Sequence, residues 1–193
     1  MLKNILIKTA ELINRDDISS SLKKINCIDE INNDSLSNDI TKMISYSNYI
    51  LSDLFENYIF LNKSQELISD ENNRIYYSNF QSTPTKIISV KTISNFNTLF
   101  SVNSTFITTN APNQTYLINY NYLPNELKKL DDCLEIPFGF NIKIICYGIA
   151  SEFLASKDQF DKSEFWKNRY LYEIFKLKIK KERRLKSTFI KWN

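Results

Sequence analysis

The hydrophobic period of this chain changes twice, and that limits its fold more than any other feature. Up to about residue 70 the apolar residues recur at helical spacing; from Asn72 to about residue 124 they alternate; afterwards the helical spacing returns. Over 35–58, Leu36, Ile40, Met43, Ile44, Leu51, Leu54 and Tyr58 form a 3.6-residue stripe, with Ser47 as its small member. A shorter helix over 2–15 places Leu2, Ile5, Leu6, Ala10 and Ile13 near one face. Asp16 and Asp17 end it, and Ser19 or Ser20 can cap a further turn to Ile25.

In the alternating region, 74–80 and 85–91 are β-branched and aromatic, separated by Gln81-Ser82-Thr83-Pro84. Residues 105–109 follow, then a turn at Asn110-Ala111-Pro112-Asn113, then 115–122. Residues 125–130 allow one helical turn. After Pro137 the segment 138–155 is helical, with Ile142, Ile145, Ile149 and Phe153 on one face. Gly148 inside it predicts close approach of another backbone, because glycine in a helix costs about 1 kcal/mol relative to alanine. The last helix starts at Asp161 as N-cap, with Glu164 at the third position and Phe160 stapled to Phe165. It runs through Trp166, Tyr170, Ile174, Leu177 and Lys181, where its apolar stripe fades.

The predicted fold class is α+β. An α-helical bundle, its N-terminal and C-terminal helices packed together, carries an inserted small antiparallel β meander or barrel that stands away from it. The divisions are 1–70 for the N-terminal helices, 71–124 for the β insertion, 125–185 for the C-terminal helices and 186–193 for a C-terminal extension.

Absences narrow the chemistry. No histidine occurs in the 193 residues, which removes the commonest general base and metal ligand. Gly139 and Gly148 are the only glycines, too few for a phosphate-cradling loop. Cys27, Cys133 and Cys146 are odd in number and lack metal-ligand spacing, so buried free thiols in a reducing compartment are expected. The abundant Asn, Ile, Ser and Lys read as AT-rich coding bias, and the glycosylation triplets at Asn33, Asn62, Asn103 and Asn113 as accidents of it. With 42% hydrophobic and 24% charged residues, the composition suits a soluble chain with a core. No run approaches the ~18 apolar residues of a membrane span, and the first residues lack the pattern of a signal peptide. No catalytic residue, cofactor, metal or membrane partner is therefore expected.

Charge is uneven. Between residues 176 and 193, Lys176, Lys178, Lys180, Lys181, Arg183, Arg184, Lys186 and Lys191 face only Glu182, a net +7 within a chain of net +3. A cationic end on a mildly acidic body points to a negative partner or to a solvated helix end. Phe189 and Trp192 lie among those cations, a mixture that favours docking to protein over phosphate contact alone. Asp131, Asp132 and Glu135 form an acidic loop, read as solvated or facing a basic partner rather than as a cation site. Glu152 with Arg169 or Lys167 can bridge the last two helices. Tyr116, Tyr120 and Tyr122 share one side of a strand with Ile118. Without interleaved cations, that row suits a core or a subunit or tail interface better than a platform for single-stranded nucleic acid.

The segments NRIYYSNFQSTPTKIISVK, TYLINYNYLPNEL and IPFGFNIKIICYGIASEFLASKDQFDKSEFWKNRYLYEIFKLK, with the closing KWN, together resemble the head-to-tail adaptor proteins of tailed bacteriophages. The most characteristic part is Tyr147 to Phe153, followed by Phe160, Asp161, Glu164 and Phe165 to Tyr170. The resemblance covers roughly residues 72–193. It implies a non-enzymatic structural virion protein, made in the host cytoplasm and placed at the head–tail junction. Such adaptors form a ring of copies, usually a dodecamer, between the portal protein and a tail or nozzle component, and genomic DNA passes through the lumen. It further implies a portal-contacting C-terminal extension, assigned here to Lys180, Arg183, Arg184, Lys186, Phe189, Lys191 and Trp192. The alternative reading is a nucleic-acid-binding regulator that grips phosphates with the same basic end.

Overall fold

The computed structural model describes residues 1–31, 33–137 and 140–188, with side chains as far as Lys178. The fold is mixed α+β, with five α-helices and two three-stranded antiparallel sheets among the described residues. The chain forms two units: Met1–Tyr58 together with Asn125 onward, and Ile59–Pro124 between them.

A chain with two glycines needs another residue for its left-handed turns, and here asparagine serves. Asn14, Asn73, Asn95 and Asn113 adopt φ of 57, 62, 65 and 51°, and Asp158 adopts 58°. Asn and Asp tolerate that region better than other side chains because their short polar groups bond locally. The asparagine content is thus put to structural use and is more than coding bias.

The helical unit contains α1 (Leu2–Leu12), α2 (Asp16–Lys24), α3 (Asp34–Asn57), α4 (Lys143–Ala155) and α5 (Phe160–Thr188). Asn14 turns α1 into α2, and the Asn33 side chain caps α3 by accepting from the Leu36 N–H at 3.2 Å. The predicted stripe on α3 is its buried face: Ile40, Met43, Ile44, Ser47, Leu51 and Leu54. Helix α4 starts at Lys143, where the Asn141 side chain accepts the Lys143 N–H, later than the predicted residue 138. It is enclosed on more than one side, with Ile145, Ile149, Ala150 and Phe153 all at or below 1% exposure, and it touches α1, α3 and α5. Burial of Ile145, Ile149 and Phe153 stabilises the unit by roughly 1.5–3 kcal/mol each relative to exposure. Gly148 faces the Ile50 side chain of α3 rather than a backbone; a β-carbon there would lie 2.8 Å from Ile50 Cδ1. Helix α5 begins at Phe160, so Asp161 sits in its first turn rather than at its cap, where it still opposes the helix dipole. Phe160 and Phe165 are both largely open to solvent.

The loop after Pro124 is fastened to the same unit. Asn48 clamps Leu127 in both directions at 2.9 Å, and the carbonyls of Asp132 and Leu130 accept the Leu2 and Lys3 N–H groups of α1. These are two of the donors that a helix start leaves unpaired.

The β unit contains β1 (Leu61–Ile68), β2 (Arg74–Tyr76), β3 (Pro84–Thr92), β4 (Ser101–Val102), β5 (Phe106–Thr108) and β6 (Thr115–Tyr122). It begins at Ile59, earlier than the predicted residue 71, because β1 is a strand. Its sequence LNKSQELI carries little apolar alternation, as an edge strand can. The sheets have the orders β1-β6-β3 and β2-β5-β4, so the unit is neither a sequential meander nor a closed barrel. The reason lies in β6, whose Tyr116, Ile118 and Tyr120 are fully buried. Such a strand takes the centre of a sheet and pairs on both edges, with Leu67 opposite Tyr116 on β1 and Val90 opposite Ile118 on β3. Leu67, Ile75, Phe80, Val90 and Ile107 complete this core.

Candidate interaction surfaces

Helix α5 buries one narrow face. Ser163, Tyr170 and Ile174 point inward, and Ser151 and Ser163 exchange hydrogen bonds to each other's carbonyls at 3.1 and 2.9 Å. These small residues let α4 and α5 approach closely. Tyr170 donates to Asp53 at 2.7 Å, and burial, reinforced by that carboxylate, holds its phenol well above the usual tyrosine range.

The opposite face of α5 is unusually apolar for a surface. Phe165, Tyr172 and Phe175 fall near one line at helical spacing, with Tyr172 61% and Phe175 59% exposed. Cations brace these rings: the Arg169 guanidinium lies 4.8 Å from the Phe165 centroid, and Lys176 Nζ lies 4.2 Å from that of Tyr172. Lys176 also bonds Glu173 at 2.7 Å, which holds its ammonium above the ordinary lysine value. Arg169, named with Lys167 as a candidate bridge to Glu152, faces the Phe165 and Trp166 rings. Tyr147 of α4 stacks on Trp166 at 5.4 Å.

Beside the start of this stripe lies an open groove of about 520 Å³. Leu12, Ile13, Leu154, Phe165 and Trp166 form its apolar lining, and Arg15, Gln159, Asp161 and Lys162 rim it. Arg15 is held at that rim by Asp17 and by the buried Asp39, which also receives Lys157 at 2.7 Å.

The β unit has its own exposed apolar group on the hairpin that follows β3. Ile93 and Phe96 are each 73% exposed and Leu99 is 90% exposed, while Phe100 turns inward against the core. This hairpin is well tied. The N–H of Thr92 donates to Phe96 O at 3.0 Å, that of Asn95 to Thr92 O at 2.8 Å, and that of Thr98 to Val90 O at 2.8 Å. No sequence pattern pointed to it, yet a signal existed: between Lys91 and Glu126 the chain has no charged residue over 34 positions. Charge depletion of that kind marks the central part of protein–protein contacts.

The other predicted sites divide differently. Tyr116 and Tyr120 are core residues, correcting their assignment to an interface: both rings are fully buried because their side of β6 faces the unit's interior. Their hydroxyls donate to Asn110 at 2.8 Å and to Gln65 at 3.2 Å. Tyr122 is half-buried, with Lys63 Nζ 5.7 Å from its ring centroid. In the acidic loop, Asp132 caps a turn by accepting the N–H groups of Lys128 and Lys129 at 2.6 and 2.8 Å, which draws its pKa down. Among the described residues no group of three or more His, Cys, Asp or Glu side chains is placed to hold a metal ion. All three cysteines are free; Cys146 is buried as expected, but Cys27 and Cys133 are exposed. No described helix is long and apolar enough to cross a membrane. Lys180, Arg183, Arg184 and Lys186 fall on the backbone of α5, beyond its described side chains, and Phe189, Lys191 and Trp192 lie outside the described residues.

Comparison with protein-family models and with curated proteins finds no match for this chain.

Proposed function

We propose that this chain is a structural protein of a tailed bacteriophage virion, an adaptor that assembles as a ring between portal and tail and surrounds the DNA passage. The observation that carries this reading is α5, which buries one face and presents Phe165, Tyr172 and Phe175 on the other before running into a cationic end. Exposed aromatics in line on a long helix are costly to leave in water and suit coverage by protein. The finer architecture belongs to the same proposal: the helical unit packs as one bundle, bundles of neighbouring copies lie side by side, and the β unit meets the tail. The protein works by fitting other proteins and catalyses no reaction.

The portal contact is assigned to Lys180, Arg183, Arg184, Lys186, Phe189, Lys191 and Trp192. Deleting everything after Leu177 tests it. The shortened chain should keep the thermal melt of the full chain and lose binding to purified portal; unchanged portal affinity would remove the assignment. The basic run also supports a second reading, DNA binding in solution. That reading requires affinity to fall steeply with salt, because each neutralised phosphate releases counterions. The adaptor reading requires weak, sequence-independent DNA binding.

A further inference from the structure

We infer that two copies of this chain pair antiparallel along the open edge of β1, joining their β1-β6-β3 sheets into one. The inference goes beyond the adaptor reading and does not rest on it. It starts from how the β unit treats its sheet edges. An edge strand offers unpaired N–H and C=O groups to any other strand, and folded proteins normally blunt it. Strands β2 and β4 are blunted by length, with three and two residues. Strand β3 opens at Pro84 and breaks its register with β6 twice. Its far end is covered as well: Lys91 bridges Asn97, and Val90 O accepts the Thr98 N–H at 2.8 Å. Strand β1 has none of these devices. Its eight residues hold an unbroken register with β6, and among the described residues they make no backbone hydrogen bond outside that ladder. Alternate residues therefore point both backbone groups outward and unpaired. Lys63, the one charge on the core side of β1, lies over the Tyr122 ring of its own sheet.

The sequence of β1 fits a copy of itself. A two-fold axis through the joined sheet keeps each face continuous, so only residues on the same side of the pleat oppose each other. Centred on Lys63 or on Glu66, the pairing would set like charges together. Centred on Gln65, it sets Lys63 against Leu67 and Asn62 against Ile68. Centred on Ser64, it sets Leu61 against Leu67, Lys63 against Gln65 and Asn62 against Glu66. The exposed Ile68 then meets the exposed Phe60, which stands just before the strand. Every direct pair is apolar with apolar or polar with polar, and no charge faces its like. Ser64 of one copy lies opposite Ser64 of the second.

That self-opposed position supplies the test. Full-length Ser64→Lys and Ser64→Glu variants are compared with wild type by sedimentation at low salt, where exposed charges are least screened. The wild-type chain should dimerise reversibly at high concentration, because one strand edge buries less than the roughly 1,200 Å² of a tight interface. Each variant alone should dimerise about five-fold more weakly, and their equimolar mixture at least as well as wild type. Dimerisation should also slow amide exchange within 61–68 as concentration rises. Should either variant lose the wild-type melting temperature, the exposed Asn62 replaces it as the test position. Asn62→Glu should then weaken the dimer against Glu66 of the second copy, and Asn62→Lys should tighten it. A chain that stays monomeric overturns the inference, as do variants that dimerise alone as wild type does, or a mixture that is not rescued. Association with unchanged exchange in 61–68 overturns it too and places the contact elsewhere. Portal binding is measured separately, so the adaptor reading and this contact can fail independently.

Discussion

Asp39 is only 4% exposed and receives two cations, Arg15 at 3.0 Å and Lys157 at 2.7 Å. Both cations also lie over the Phe153 ring, at 5.8 and 5.6 Å. One carboxylate thus ties α3 to the α1–α2 junction and to the turn between α4 and α5. Replacing Asp39 by Ala leaves two neighbouring cations without their shared carboxylate, with Asp17 as the remaining partner of Arg15. They keep 31% and 34% of their exposure, so solvent screens part of the loss. The expected destabilisation is about 2 kcal/mol, read from the urea midpoint at unchanged slope. Acid acts on Asp17 and Asp132. The hydrogen bond from Arg15 draws Asp17 below the ordinary aspartate value, and the N–H groups of Lys129 and Lys128 do the same for Asp132. Lowered carboxyl pKa values contribute stability that is full above about pH 4 and disappears as pH falls through the lower folded values. Asp17→Asn and Asp132→Asn should each flatten that acid loss in urea titrations run from pH 7 to pH 2.

At the scale of elements, α4 is the helix that the others need. Its Gly148 has no room for a β-carbon against Ile50. Gly148→Ala gains about 1 kcal/mol of helix propensity but overpacks a full contact, with a net expected loss near 1 kcal/mol. With Ile50→Ala already in place the same change should become neutral or stabilising, and a double-mutant cycle reads that coupling. Equal effects in both backgrounds would mean that the contact with Ile50 is not what makes glycine necessary. The helices were legible because their stripes are strongly periodic: most of the residues named for α3 and for α4 are buried, while Leu36, Tyr58 and Ile142 at the ends are only partly so. Strand β1 was not, because Lys63, Ser64, Gln65 and Glu66 occupy the middle of an edge strand whose apolar residues sit near its ends. The tyrosines of β6 were placed correctly on one side, but alternation alone does not say whether that side meets a core or a partner. The pairing of β6 with both β1 and β3 decides it.

For the whole molecule, the sequence carried the order of the parts better than their limits. Helices, a β insertion and helices again is the observed arrangement, with the insertion at Ile59–Pro124. The surfaces available for assembly were less legible. The outward stripe of α5 shares its helix with a buried stripe, and only packing shows which apolar residues remain uncovered. The hairpin hides in a polar run of Asn, Ser and Thr, where Ile93, Phe96 and Leu99 recur every third residue, which is neither the alternation of a strand nor the 3.6-residue stripe of a helix. These surfaces give the assembly reading its physical content: a chain with much exposed apolar area on two separate units suits contact with more than one neighbour. Electron microscopy of the protein mixed with purified bacteriophage portal rings tests that reading most directly. A ring of this protein stacked on one end of the portal is the expected image. Bare portal rings, with the chain left free in solution, would rule it out.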